Sequence, residues 1–283
     1  MDFVQGMDVN HNRAGVPLKP FKQNGGRFVL AKCSEWETLD VTYLDYQKES
    51  ASYYLPFGGF LYWRVDYDPL SQARFYCENL GKVQFPPIVD FEKPFNVQAD
   101  GKTPLKPPTE NVKHLKIVVS EILKITNKPK IMLYTSYNAW EVLAANDPFI
   151  KEVILWVANW GRNTPLLPVG ATEWCVWQDT NTFTVEGYPK NLDGDKFNGN
   201  EAAFEAQIAV WNNGGTTPPP PPEEHTHPEL QKDIDRLTTE NIAMSNAIVA
   251  LSKRHDGDIA QLARMVEDLQ GKMTGVGKAA LGE

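Results

Sequence analysis

The stretch Pro87-Ile88-Val89-Asp90-Phe91-Glu92 decides both the fold and the chemistry expected of this chain. A proline ends a loop, two β-branched residues favour a strand, and two carboxylates follow at positions i and i+2. Side chains at that spacing on a strand point to the same face, so Asp90 and Glu92 are predicted to be neighbours. Neighbouring carboxylates repel unless one keeps its proton. Such a pair is used in acid–base cleavage of glycosidic bonds, and the alternative is a strand end with two solvated acids.

Seven further apolar runs of strand length surround this stretch and make eight candidate strands with it. Several are apolar almost throughout, which is typical of a sheet that is covered on both faces. The seven runs are residues 3–8, 27–35, 57–66, 130–136, 153–160, 173–180 and a weaker one at 191–197.

Helical patterns alternate with the early strands. They cover residues 43–55, 69–80, 109–126 and 137–145. Strands that alternate with helices predict parallel pairing and an α/β barrel. Between the sixth and seventh strands only a proline-containing loop is expected, so the barrel is predicted to be incomplete, with helices missing late in the chain.

Acids and aromatic residues lie where the predicted strands end. In an α/β barrel the chemistry sits at the C-terminal ends of the strands. Acids supply proton chemistry and aromatic rings stack on the apolar faces of sugars, so this rim predicts a carbohydrate cleft. The residues concerned are Asp8, Glu35, Asp66, Asp90, Glu92, Tyr134, Ser136, Asn159, Trp160, Gln178 and Asp179, with Asp193 and Asp195 on the last strand.

Composition excludes several other classes of function. The 283 residues carry a formal net charge of −8, which argues against nucleic acid as the main partner. The three cysteines are widely spaced and are predicted to be reduced, without a disulfide framework or a metal site. No cofactor is predicted. The first residues show neither a basic segment nor a long apolar run, so we expect synthesis in a cytosol without a signal peptide, and no membrane span.

The composition changes sharply after residue 212. Residues 213–227 are predicted to be a linker that the run Pro218–Pro222 stiffens as polyproline II. Residues 228–274 carry apolar positions spaced three and four apart over six heptads, which predicts a coiled coil and hence a homo-oligomer or attachment to another protein. The alternative is a lone amphipathic helix packed on the barrel. Residues 275–283 are expected to form a flexible tip.

The motifs of residues 4–210 resemble the glycoside hydrolase family 25 lysozymes (N-acetylmuramidases), which are common among bacteriophage endolysins. The resemblance implies a flattened (β/α)5β3 barrel, here over residues 1–212. The pieces that carry it, in order, are Gly6-Met7-Asp8-Val9-Asn10, residues 28–35, Pro87 to Glu92, Tyr134-Thr135-Ser136, Leu155 to Ala158, residues 174–178 and residues 193–197.

The resemblance also implies a reaction, cleavage of the β-1,4 bond between N-acetylmuramic acid and N-acetylglucosamine in peptidoglycan. By position, Glu92 matches the general acid and Asp90 the partner that stabilises or orients an intermediate. Asp8 and Asp193 match the other two acids of the site. Asp193 is favoured over Asp195 because the family pattern D-x-N-x-F places Asp195 at the Asn. The implied mechanism is retaining and assisted by the N-acetyl group of the substrate, with a raised Glu92 pKa.

Seven further residues are predicted to bind substrate. Glu35 has an alternative role as the structural ion-pair partner of a barrel lysine. The seven are Tyr62, Tyr134, Trp156, Asn159, Gln178, Glu35 and Asp195.

The sequence departs from the family pattern at three places. Tyr62-Trp63-Arg64 stands where the family usually has Tyr-His-Phe, Trp36 stands in place of a glycine, and the last strand carries a second acid, Asp195.

The sequence leaves three functions open. The first function is a phage lysozyme, made in the host cytoplasm, that acts on the bacterial cell wall. The second is a virion structural protein anchored by the coiled coil, and the third is a wall-binding module with an inactive site.

Overall fold

A closed barrel of eight strands forms the centre of residues 3–212, the part of the chain that the computed structural model describes. All eight predicted strands are present, and a two-residue strand, β3, adds a hairpin to the second. The strands are β1 (Val4–Val9), β2 (Gly26–Glu35), β3 (Thr38–Leu39), β4 (Phe57–Tyr62), β5 (Ile88–Asp90), β6 (Met132–Thr135), β7 (Ile154–Ala158), β8 (Val176–Phe183) and β9 (Leu192–Phe197).

Six α-helices accompany these strands, and four of them were predicted. The sequence patterns missed α1, which has only six residues, and α6, which follows the last strand. No helix lies in residues 159–175, between β7 and β8, as the proline-containing loop predicts. The helices are α1 (Leu18–Gln23), α2 (Tyr43–Ser52), α3 (Pro69–Leu80), α4 (Pro108–Thr126), α5 (Tyr137–Ala144) and α6 (Glu201–Asn212).

The strand order around the barrel is β1-β2-β4-β5-β6-β7-β8-β9 and back to β1. The pairs from β1 to β8 are parallel, but β9 is antiparallel to both β8 and β1. The predicted parallel pairing is therefore wrong for β9. The reason is the connection from β8, residues 184–191, which is too short for a parallel crossover. This barrel agrees with the flattened α/β architecture that the family resemblance implies.

Alternation along each strand separates an inner from an outer apolar cluster. On β5, Val89 packs outward among the helices, while Ile88 points into the barrel with Phe60 and Met132. Phe91 follows the outward direction and packs on Trp63, with ring centroids 4.7 Å apart. Asp90 is therefore turned into the barrel because Ile88 and Asp90 share the inner face.

Helix α6 closes the end of the barrel where the parallel strands begin. Phe204 lies 5.5 Å from Phe28 and 6.3 Å from Phe85, measured between ring centroids, and Trp211 lies 5.1 Å from Phe85. The side chains of Phe204 and Trp211 on α6 are both buried. The opposite end, where the parallel strands finish, is left open for a site.

Residues 213–283 lie outside the described part of the chain, so the predicted linker at 213–227, coiled coil at 228–274 and tip at 275–283 stay predictions. Among the described helices, none has the length and apolar character needed to cross a membrane. The three cysteines are free, and only Cys33 is fully buried.

Candidate active site

Strand register aligns the predicted site residues at the open end of the barrel. Tyr62 on β4 pairs with Asp90 on β5, Asp90 with Tyr134 on β6, and Tyr134 with Trp156 on β7. Paired residues on neighbouring strands share a face. These four side chains therefore form one row across the inner wall.

A second row crosses from the first strand to the last. Asp8 on β1 lies directly opposite Asp193 on β9. Because β9 runs antiparallel, its first residues reach the same rim as the last residues of the parallel strands. The pairing brings the two carboxyl groups together, since Cβ atoms of directly opposed residues are about 5 Å apart.

A cavity of about 510 Å³ lies between these rows. A second cavity, of about 360 Å³, shares Glu92, Tyr134 and Trp160 with it and adds the predicted Asn159. Glu92 therefore lies where the two cavities meet. The predicted residues that line the larger cavity are Asp8, Glu35, Tyr62, Asp90, Glu92, Tyr134, Trp156, Gln178 and Asp193.

Glu92 follows the end of β5 and is half-buried. Burial raises the pKa of Glu92 to about 7, against the opposing effects of the Tyr62 hydroxyl and the Lys32 charge. The Tyr62 hydroxyl itself donates a hydrogen bond to the Pro94 carbonyl at 2.9 Å. A carboxyl group with this pKa is still protonated in part at neutral pH, as a general acid must be.

Asp90 is 5% exposed. Its Oδ1 atom is buried and has no hydrogen-bond partner within residues 3–212. Burial and the Glu92 charge raise the pKa of Asp90 well above its ordinary value, and Lys32 opposes them. Asp90 thus lines the cavity with a carboxyl group whose buried Oδ1 has no partner among the described residues.

Lys32, Glu35 and Arg64 form an ion-pair network on one side of the cavity. Lys32 Nζ lies 2.5 Å from Glu35 Oε2, and Arg64 Nη1 lies 2.9 Å from Glu35 Oε1. Burial would raise the pKa of Glu35, but the hydrogen bonds and charges of Lys32 and Arg64 outweigh it and lower that pKa. Glu35 is therefore the ion-pair partner of a barrel lysine, which was the structural alternative, and it also lines the cavity.

Gln178 connects three parts of the site through its side-chain amide. Its Oε1 accepts hydrogen bonds from the Tyr134 hydroxyl and from Trp160 Nε1, both at 3.0 Å. Its Nε2 donates to Asp8 Oδ2 at 2.7 Å. These contacts fix the orientation of the amide, because its oxygen accepts on one side while its nitrogen donates on the other.

The two acids of β9 occupy different layers. Asp193 lines the cavity, whereas Asp195 is fully buried beneath it, where Oδ1 accepts a hydrogen bond from Trp156 Nε1 at 2.8 Å. Burial and the Asp193 charge raise the pKa of Asp8 to about 8. Full burial argues against the predicted substrate-binding role of Asp195. Trp156, 1% exposed, contributes to the cavity floor more than to an open sugar platform.

The two residues after Tyr62 that depart from the family pattern have different positions. Trp63 is fully buried on the outer face of the barrel, where Nε1 donates to His114 Nδ1 at 2.9 Å. It therefore does not reach the cavity. Arg64, by contrast, joins the network at the cavity wall through Glu35 and also pairs with Asp66 at 3.1 Å.

Sequence reasoning missed several residues that line the larger cavity. Lys32 continues the inner face of β2 after Leu30, and a lysine at an inward position was an available signal. Phe95 gave none, because it is 61% exposed on a loop at a φ of +61°. The lining residues that the sequence analysis did not place at the rim or in the site are Asn10, His11, Asn12, Arg13, Lys32, Phe60, Pro94, Phe95 and Asn181. Within residues 3–212, no group of three or more His, Cys, Asp or Glu side chains is arranged to hold a metal ion.

Comparison with known proteins places this site in a family. The profile described as "Glycosyl hydrolases family 25" matches residues 7–188. Lysozyme M1 of Streptomyces globisporus is 26% identical over 231 residues, which cover 74% of this chain and 72% of that protein.

Solved structures share the fold. A bacterial lysozyme from Streptomyces coelicolor superposes with a TM-score of 0.68 at 22% identity, over 76% of this chain and 99% of that one. A family GH25 lysozyme from Aspergillus fumigatus gives a TM-score of 0.65 at 22% identity, over 73% and 99%.

Proposed function

Because this chain belongs to the glycosyl hydrolases of family 25 and is a glycosidase, we propose that it cleaves the β-1,4 bond between N-acetylmuramic acid and N-acetylglucosamine in peptidoglycan. The family predicted from the motifs is thereby confirmed. The observation that carries the proposal is Glu92, a carboxyl group with a pKa of about 7 at the meeting point of two cavities. A glycan that occupied both cavities would place a glycosidic oxygen beside it.

In the proposed reaction, Glu92 donates its proton to the glycosidic oxygen as the bond to the leaving sugar breaks. The acetamide oxygen of the substrate attacks the same anomeric carbon and forms a cyclic oxazolinium ion. The carboxyl group of Asp90, which lines the cavity, accepts the acetamide N–H in this scheme and so stabilises that ion. Water then attacks the anomeric carbon, the bond from that carbon to the acetamide oxygen breaks to restore the acetamide, and Glu92 takes a proton from the water, so two inversions give net retention.

Asp8 and Asp193 place two carboxyl groups on the opposite wall, and each contributes negative charge when it is ionised, although burial raises the pKa of both. Positive charge develops on the sugar ring in the transition state of glycoside cleavage. Preorganised anionic groups stabilise such a charge more strongly inside a cavity than in water. We propose that Asp8 and Asp193 stabilise this positive charge and that Gln178 orients the carboxyl group of Asp8.

The central test compares the full-length wild type with Glu92→Gln in the clearing of a peptidoglycan suspension. Glutamine keeps the shape of the side chain but has no proton to transfer. We expect the rate to fall about 100- to 10,000-fold, with an unchanged melting temperature as evidence that the fold is intact. Equal rates for the two proteins would exclude Glu92 as the general acid.

Two product measurements test the finer parts of the proposal. After borohydride reduction of the digest, fragment masses should show reduced muramic acid at the new ends; reduced glucosamine would contradict the assigned bond. Proton NMR of a soluble glycan fragment should show the β-anomer first if the reaction is retaining. The α-anomer first would mean inversion.

We also propose that the protein degrades the bacterial wall during phage infection. The family motifs support this setting. The alternative, a wall-penetrating virion component, predicts that the protein copurifies with intact particles. If antibodies detect it only in the soluble fraction of a lysate, the free lysozyme is the correct assignment.

A further inference from the structure

The proposed reaction gives no role to Asp195, a buried acid on β9. It is fully buried, one layer below the cavity, and it lies in the same inner face of β9 as Asp193. Its neighbour across the β1 pairing is Gly6, which carries no side chain to compensate it. A buried acid of this kind is costly unless it is paired or neutral.

We propose that Asp195 is held as a neutral carboxylic acid that donates its proton in a hydrogen bond to Asp8 and so positions the Asp8 carboxylate at the cavity. This inference rests on the proposed function, since Asp8 is one of its assigned site residues. Asp195 is then a positioning residue, because it does not itself reach the substrate.

The hydrogen bonds of the two carboxyl groups support this proposal. Asp195 Oδ1 accepts from Trp156 Nε1 at 2.8 Å, and Oδ2 finds no N–H or O–H donor within residues 3–212. Asp8 pairs with Asp193 and Gly6 pairs with Asp195, so Asp8 and Asp195 are diagonal neighbours on the inner face of β1 and β9, and hydrogen bonding between their carboxyl groups contributes to the pKa of each. Two ionised carboxylates have only acceptors, so a hydrogen bond between them forms only if one is protonated.

The surroundings decide which of the two carries the proton. Asp8 is 6% exposed and receives a hydrogen bond from Gln178 Nε2 at 2.7 Å, which favours its anion. Asp195 has no exposed atom. Among the described residues, its carboxyl group accepts a hydrogen bond from one donor, the N–H of Trp156. The anion is therefore better accommodated on Asp8.

The charged groups that act on the pair favour retention of that proton. Asp8 from β1 and Asp193 from β9 both repel a negative charge on Asp195, and Glu92 adds to the repulsion at Asp8. The β6, β7 and β8 neighbours of the pair are the uncharged Tyr134, Trp156 and Gln178, described above. Burial together with these acids raises the pKa of Asp195 well above its ordinary value.

The kinetic experiment uses two substitutions of similar size in the full chain. Asp195→Asn keeps a donor for Asp8, and Asp195→Leu removes it. We expect Asp195→Asn to retain kcat within about 3-fold, and Asp195→Leu to lose about 10- to 100-fold in kcat with little change in KM, as loss of one hydrogen bond to a charged group predicts. Equal losses in both folded variants, or a loss in neither, would overturn the positioning role.

A second measurement tests the protonation state without using activity. In the unfolded chain Asp195 ionises above pH about 4, whereas in the folded protein it stays protonated, so the wild type carries a loss of stability with rising pH that Asp195→Asn lacks. The melting temperature of Asp195→Asn should therefore gain on that of the wild type by about 3–5 °C per pH unit between pH 5 and 7.

A difference in melting temperature that stays constant with pH would mean that Asp195 is ionised in the fold, and it would refute the proposal. This readout holds even if Asp195→Leu does not fold. It is also separate from the proposed function, because a failure of the Glu92→Gln test would leave the thermal result unaffected.

Discussion

At the scale of single residues, the charge of one lysine, Lys32, affects the pKa values of neighbouring acids in the site. Lys32 is 8% exposed, and its charge opposes the raised pKa of both Asp90 and Glu92. Its own position is fixed by Glu35, which Arg64 holds from the other side. Burial raises the Glu92 pKa most, and the lysine lowers the pH at which this general acid loses its proton.

This role predicts the pH dependence of the rate. Glu92 must be protonated to act, so kcat should fall as pH rises through about 7. Lys32→Met removes a charge that lowers the Glu92 pKa, so the alkaline limb of the kcat profile should move to higher pH. The measurement is kcat from pH 5 to 9 on soluble glycan fragments.

Lys196→Met is the matched control for this experiment. Lys196 also pairs with an acid at 2.5 Å, Asp179, but it does not line the cavity. Its replacement should leave the alkaline limb in place. If the Lys32 variant shows no movement of the limb, or movement to lower pH, the tuning role is wrong.

The ring and the N–H group of Trp160 are expected to have different roles in the site, and two substitutions can distinguish them. It is 51% exposed, lines both cavities, and donates from Nε1 to Gln178. We expect Trp160→Ala to raise KM about 10-fold through loss of ring stacking. Trp160→Phe keeps a ring and should raise KM less.

The two Trp160 variants share the loss of the bond to Gln178. They should therefore lower kcat by similar factors while they differ in KM. Indistinguishable KM values for Phe and Ala at this position would show that the ring does not bind the glycan.

At the scale of elements, β9 and α6 have the greatest consequences for the site. The reversed direction of β9 brings Asp193 to the rim opposite Asp8. Helix α6 fills the other end of the barrel with Phe204, which also packs 5.1 Å from Phe197 of β9. Stability of the closed end and placement of the acids are thus linked through one strand.

Loss of the Phe204 side chain, which packs α6 against the end of the barrel, should lower the stability of the barrel substantially. Phe204 is 3% exposed, so Phe204→Ala is expected to lower the free energy of unfolding by about 3–5 kcal/mol. Urea unfolding followed by tryptophan fluorescence measures this. Glu205→Ala, on the exposed face of the same helix, is the control and should change it by less than about 0.5 kcal/mol. Similar values for both variants would mean that α6 is not part of the core.

At the scale of the whole molecule, the heptad pattern of residues 228–274 predicts more than one barrel per particle. Light scattering should therefore give a multiple of the chain mass for the full protein at micromolar concentration. A chain that stops at residue 227 should be a monomer with the same activity per barrel on soluble fragments. A monomeric full chain would contradict the coiled-coil prediction.

Several features of this protein follow from its sequence alone. Apolar runs placed eight strands and four helices, because hydrophobic periodicity is a local signal. The alternation of side chains along a strand predicted that Asp90 and Phe91 point to opposite faces of β5. The family motifs identified the glycosidase.

Other features depend on contacts between distant parts of the chain, and only the tertiary structure decided them. Gln178 and Asp8 are 170 positions apart, and no local pattern predicts their hydrogen bond. The same holds for the ion pairs that join Lys32 to Arg64 through Glu35. Asp193 and Asp195 look alike in sequence, yet one lines the cavity and the other lies beneath it. Barrel closure sets that difference, because depth below a surface is a property of the assembled strands.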